Sequence, residues 1–99
     1  MGTEPVRDWI KSCSSDDRKV IGADIATIER GWPIGMPVCR PLGDGLWEVR
    51  SSIRDGIARV LFCLHHGNLV LLNSFVKKTQ KTPDSEIELA RKRKREIEK

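Results

Sequence analysis

Apolar residues recur three and four apart in 5–12, "PVRDWIKS", so Val6, Trp9 and Ile10 share one face of a short helix that Pro5 suits as its first position. Ser14 or Ser15 can cap a second helix, with Asp16 and Asp17 in the first turn, where the positive end of the dipole favours acids. Val20, Ile21, Ile25 and Ile28, with Ala23 and Ala26, continue that helix until Gly31 ends it. These two elements read as a helical hairpin that covers a sheet. Residues 31–45, "GWPIGMPVCRPLGDG", carry three prolines and four glycines, which forbids a continuous helix or a central strand. Trp32, Ile34, Met36, Val38 and Leu42 make this an ordered crossing with a structural role.

From residue 46 the period changes to two. "LWEVRSS" alternates, "IARVLFCLHH" is rich in branched and aromatic residues, and "NLVLLNSFVK" is nearly continuously apolar. With "DG" at 55–56 and "GN" at 67–68 as turns, the pattern predicts an antiparallel meander of three strands near 46–52, 57–65 and 69–77. A last helix follows in "TPDSEIELARKRKREIEK", with Thr82 as cap and Pro83 at its first position. Its apolar stripe is thin, Ile87, Ala90 and Ile97, and Arg91 to Arg95 are five cations in a row. Two readings stay open for it: a solvated helix supported by pairs such as Glu88 with Lys92, or a loosely docked helix that completes its contacts on a partner or on RNA.

The 99 residues suit one domain with a modest core. No apolar run is long enough to span a membrane, and "MGTEPVRDWIKS" lacks the apolar segment of a secretory signal. Cys13, Cys39 and Cys63 are odd in number and widely spaced, which argues for a reducing, cytoplasmic compartment. Charge is unevenly placed: residues 1–46 hold six Lys/Arg against seven Asp/Glu, and residues 47–99 hold twelve against seven. A basic second half points to an anionic partner, of which nucleic acid is the commonest.

Little else suggests a metal or a nucleophile. His65 and His66 are adjacent on a strand and are expected on opposite faces, and no cysteine stands at ligand spacing from another. No glycine-rich phosphate loop is present. The remaining chemistry is cationic: Arg50, Arg59, Lys77 and Lys78 on the strands, and Arg54 in the first strand-to-strand turn. Arg59 is the informative residue, because a guanidinium inside "IARVLFCL" must be paired or must face a polar cleft. An ion pair with Glu48 on the adjoining strand and an open cationic sheet face both satisfy that requirement, and the two are compatible.

The segments "PVRDWIKS", "GWPIGMPVCRPLGDGLWEVRS", "IARVLF" and "FVKKTQKTP…EIELARKRK" resemble, in order and over nearly the whole chain, the phage-derived, HigB-like branch of the RelE toxin family. The resemblance implies an α+β, compact microbial-RNase-like fold in a single domain over 1–99: an N-terminal helical hairpin on a small antiparallel sheet and a C-terminal basic helix. It implies a type II toxin–antitoxin toxin, a ribosome-dependent mRNA endonuclease that needs no cofactor or metal. The implied partners are the ribosome, mRNA and an antitoxin of helix-turn-helix type.

On this pattern Arg59, Lys77, Lys78 and Glu48 are the expected catalytic set. Arg59 would take the phosphate, the lysines would add charge, and Glu48 would orient Arg59 or act as base. Arg50, Arg54, Lys81, Arg91, Arg93 and Arg95 are the expected RNA contacts. The alternative is a catalytically inactive RNA- or antitoxin-binding module of the same fold. Family members begin with a further strand, and four residues precede Pro5 here, so that strand is expected to be shortened or missing. Many relatives carry His where this chain has Asn73, so a histidine base does not carry over.

Register decides which lysine joins Arg59, because a slip of one residue flips every side chain. A three-residue turn, His66 to Asn68, would pair His65 with Leu69 and set Arg59 opposite Phe75 and Ile57 opposite Lys77. Val60, Phe62 and Leu64 would then lie with Val70, Leu72 and Val76 on the helix-covered side. A two-residue turn, Gly67-Asn68, would pair Arg59 with Val76 and bring Lys78 to its face. The first form makes the larger apolar set and is the expected one.

Overall fold

The computed structural model describes residues 4–31, 39–54, 56–77 and 82–98. Two helices lead, α1 (Glu4–Ser12) and α2 (Ser15–Gly31), then four strands, β1 (Cys39–Gly43), β2 (Leu46–Ile53), β3 (Gly56–His65) and β4 (Asn68–Lys77), and finally α3 (Asp84–Ile97). The strands form one antiparallel sheet in the order β1-β2-β3-β4. The fold is α+β, as expected, with one more strand than the pattern predicted.

That strand lies inside the proline- and glycine-rich crossing. Pro41 has no N–H to give a ladder, and β1 is an edge strand paired only with β2, which is where a strand can hold a proline. Its register shifts between Pro41 and Gly43, and the chain reverses through Asp44 and Gly45, both at positive φ. The apolar residues at 32–38 that suggested an ordered crossing lie outside the described residues.

Both faces of the sheet are covered, by different means. On one face Val6, Ile21, Ile25 and Ile28 of the hairpin pack on Val49, Ala58, Val60, Phe62 and Leu71. Ser14 caps α2 through the Asp17 N–H at 3.3 Å, and the Ser51 hydroxyl donates to Asp24 at 2.6 Å, tying α2 to β2. On the other face Ala90 of α3, fully buried, sits with Leu46, Leu61, Cys63 and Leu72, flanked by Ile87 and Ile97. The thin stripe of α3 is therefore enough to dock it, because one small residue at its centre lets the helix come close to the strands.

The β3–β4 turn is neither the three-residue His66 to Asn68 form nor the two-residue Gly67-Asn68 form expected from the sequence. The turn is His66-Gly67, both at positive φ (53° and 79°), so it is a two-residue turn of the I′ kind and His65 pairs with Asn68, not with Leu69. A bulge then restores the other parity: Leu61 opposes Asn73 while Phe62 opposes Leu71, which leaves Leu72 as the extra residue on β4. Beyond the bulge Arg59 pairs with Phe75 and Ile57 with Lys77, as expected.

The bulge also redistributes the apolar residues. Leu71 joins Val60 and Phe62 under the hairpin, whereas Val70 and Leu72 pack with α3, and Leu64 and Val76 stay exposed. The expected place of Val70 and Leu72 on the hairpin side is thus corrected, since a bulged strand changes face partway along, whereas Leu64 and Val76 keep the hairpin side, opposite Leu69 and Ala58, but are not covered there. His66 is likewise a turn residue, and its ring meets that of His65 edge-on at 4.1 Å instead of projecting from the opposite face of a strand.

Candidate nucleic-acid interface

Alternation along the strands brings one set of polar side chains to the α3 side of the sheet, near Thr82 at the start of α3. Glu48 and Arg50 are two apart on β2, so they share a face. Arg59 of β3 pairs with Arg50, and Arg40 of β1 pairs with Glu48, so both stand on that face. Lys77, exposed at the end of β4, is opposite Ile57 and therefore diagonal to Arg59.

Among the described residues three arginines thus share this face with one carboxylate, and of the three Arg40 is exposed. Arg50 Nε donates to Glu48 Oε1 at 2.7 Å. The Thr82 hydroxyl donates to Glu48 Oε2 in a very short contact, and Arg59 Nη1 approaches the same hydroxyl oxygen at 3.5 Å. Glu48 and Arg59 have no solvent exposure, while the Arg50 side chain keeps 23% of its own. Burial pushes the Arg59 pKa down, Arg50 and Arg40 push the same way, and the Glu48 charge opposes them. Among the described residues Glu48 is the carboxylate that shares this face with the three arginines, and an oxyanion could approach the partly exposed Arg50.

Thr82 and Arg40 were not expected here. The sequence assigned Thr82 to the cap of the last helix, but the N-cap is Pro83, with no side-chain capping bond, and the Thr82 hydroxyl goes to Glu48 instead. A threonine that gives up a cap worth about 1 kcal/mol is a usable signal only once its other partner is visible. Arg40 was hidden in the crossing. Had Pro41 been read as an edge-strand mark, Arg40 would have fallen beside Glu48.

The other expected contacts disperse. Arg54 is exposed near the β2–β3 turn. In the five-cation run, Arg91 binds Asp44 at 3.2 Å and Glu88 at 2.8 Å, Arg93 Nη1 donates to the carbonyl of the bulged Leu72 at 2.6 Å, and Lys94 binds Glu98 at 2.7 Å. Arg91 and Arg93 thus hold α3 to the sheet and to the β1–β2 turn, whereas Lys92 and Arg95 are exposed. Lys78 and Lys81 lie outside the described residues. Asn73, where many relatives of the resembling family carry His, is buried and donates its amide to the Glu86 backbone carbonyl at 3.2 Å and to the Glu86 carboxylate at 3.0 Å. It therefore fastens the first turn of α3 to β4.

The family model of the phage-derived protein Gp49-like (DUF891) matches residues 8–95, which run from α1 through the sheet to the last turns of α3. The chain belongs to this phage-derived Gp49-like family. No curated protein matches it. The Gp49-like match takes in every member of the cluster, Arg40, Glu48, Arg50, Arg59, Lys77 and Thr82. None of the described helices of this Gp49-like chain is long and apolar enough to cross a membrane.

Proposed function

We propose that this Gp49-like chain is the toxin of a type II toxin–antitoxin pair, of the HigB-like branch of the RelE family, and acts in the cytoplasm as a ribosome-dependent mRNA endonuclease. What supports the reading is the gathering of Arg40, Arg50 and Arg59 with Glu48 on one sheet face, with the exposed Lys77 at its rim. RNA holds its own nucleophile, so such a site can work by positioning and charge. The ribose 2′-hydroxyl gives its proton to solvent as its oxygen attacks the adjacent phosphorus, the bond to the 5′-oxygen breaks, that oxygen takes a proton from solvent, and a 2′,3′-cyclic phosphate is left.

Arg50, whose side chain keeps 23% of its exposure, takes the phosphate oxygens, and the exposed Arg40 and Lys77 add charge beside it. Arg59 acts from beneath, raising the local potential without touching RNA in this conformation. Glu48 has both oxygens engaged, by Arg50 and by Thr82, and therefore orients Arg50 rather than accepting a proton. The exposed cations, Arg54 and Arg95, serve ribosomal RNA, and an antitoxin of helix-turn-helix type neutralises the protein.

A second reading, a non-catalytic RNA- or antitoxin-binding module, is favoured by the complete burial of Arg59 and Glu48 and by the locked amide of Asn73. Induced expression with mapping of mRNA ends separates the two. The wild-type protein should arrest growth and leave cyclic-phosphate ends on translated messages, and Arg50→Ala should abolish both. Arrest without new ends would leave the binding module, and arrest that Arg50→Ala does not relieve would remove the cluster from the function.

A further inference from the structure

We infer that Thr82 is a positioning residue for Arg50. Its hydroxyl holds Glu48 Oε2, so the carboxylate can turn only one oxygen, Oε1, towards the Nε of Arg50. A carboxylate has two equivalent oxygens and rotates about its terminal bond, so a single guanidinium contact leaves its direction loose. A second, fixed donor removes that freedom. The Thr82 hydroxyl can fill this place because it has one proton to give and lone pairs to spare, and Arg59 Nη1 lies at 3.5 Å from the same oxygen.

The position of Thr82 in the chain gives the contact its consequence. Thr82 is 8% exposed and directly precedes Pro83, whose fixed φ of −61° starts α3. The Pro83 carbonyl accepts from the N–H groups of Glu86 (3.1 Å) and Ile87 (3.3 Å), so the first turn of α3 and Thr82 move as one piece. Glu86 in turn holds Asn73 of β4, and Arg91 holds Asp44 between β1 and β2. The aim of Arg50 is thereby tied to the seating of α3 on the sheet.

For cleavage, the inference rests on the RNA-directed reading above; for the aim of Arg50, it does not. Two variants test it: Thr82→Val, which keeps the shape and removes the hydroxyl, and Thr82→Ser, which keeps the hydroxyl. The direct readout is the hydrogen-exchange protection of the Arg50 Nε–H in nitrogen-15-resolved NMR. Thr82→Val should lower it about tenfold, the equivalent of one net hydrogen bond of about 1.4 kcal/mol, and Thr82→Ser should hold it within about twofold.

Cleavage of translated mRNA should follow the same order, with the loss in turnover rather than in the concentration needed for half-maximal rate. Unchanged Arg50 protection in Thr82→Val overturns the inference, even if cleavage falls. So does Thr82→Ser behaving like Thr82→Val, and so does a loss in Thr82→Val that backbone amides across the sheet share, which marks a fold upset by valine. If protection follows the prediction while the wild-type protein cleaves nothing, the positioning role stands and the endonuclease reading fails.

Discussion

Replacing Glu48 by glutamine isolates the charge that balances the arginine cluster. The amide keeps the size of the side chain and an oxygen for Arg50 Nε, so packing changes little. What disappears is a negative charge acting on the buried Arg59, which also feels Arg50 and Arg40. Removing one partner of a buried ion pair costs about 3–5 kcal/mol, and the retained hydrogen-bonding ability of Gln lowers the expectation to about 2–3 kcal/mol. In a domain of this size each kcal/mol moves the melting temperature by roughly 4–8 °C, so Glu48→Gln should melt about 10–20 °C below the wild type. Urea unfolding followed by tryptophan fluorescence measures the difference directly. Adding Arg59→Met removes the stranded cation, and the double variant should recover about 1 kcal/mol or more over Glu48→Gln alone. A single variant within about 0.5 kcal/mol of wild type would refute the claim that Glu48 balances a buried charge, and so would a double variant less stable than the single one.

Further outcomes follow from the same geometry. Gly67→Ala should cost about 1 kcal/mol with no steric clash, since a Cβ there meets open space but the backbone stands at φ +79°. Burial raises the pKa of Cys39 and Cys63 above the usual 9.0, so the folded chain keeps protons that the unfolded chain loses. Stability should therefore fall as pH rises past about 9. In a double Cys39→Ala, Cys63→Ala variant, urea midpoints should lose less between pH 8 and pH 10. Affinity for RNA or ribosomes should drop by about 0.7 log units per log unit of salt for each phosphate contact, and Arg50→Ala should reduce that slope by about one contact. Cleavage in EDTA, with ribosome integrity controlled, should proceed at the full rate, and strict dependence on a divalent ion would contradict a site of arginines and lysine alone.

The succession of elements could be read from the sequence because it depends on local preferences. The i, i+3, i+4 spacing of Val6, Trp9 and Ile10, the acids after Ser14, and the change to period two at Leu46 each act within a few residues, and α1, α2, β2, β3, β4 and α3 follow them. The pairing of Arg59 with Phe75 agrees with the expectation, but the structure reaches it through a two-residue turn and the Leu72 bulge instead of the three-residue turn.

What depended on distant partners was not legible. The bulge at Leu72 lets a two-residue turn at one end of the hairpin coexist with the opposite parity at the other, and no local preference encodes that trade. Arg91 and Arg93 look like free surface cations in the sequence, and only docking of α3 reveals that Asp44 and the Leu72 carbonyl take them. Thr82 is the sharpest case. Its local chemistry suits a helix cap, and the carboxylate that claims its hydroxyl lies 34 residues away on β2. A short polar side chain takes whichever partner the folded backbone brings within hydrogen-bond reach, and for Thr82 that partner is set by the sheet and α3 together.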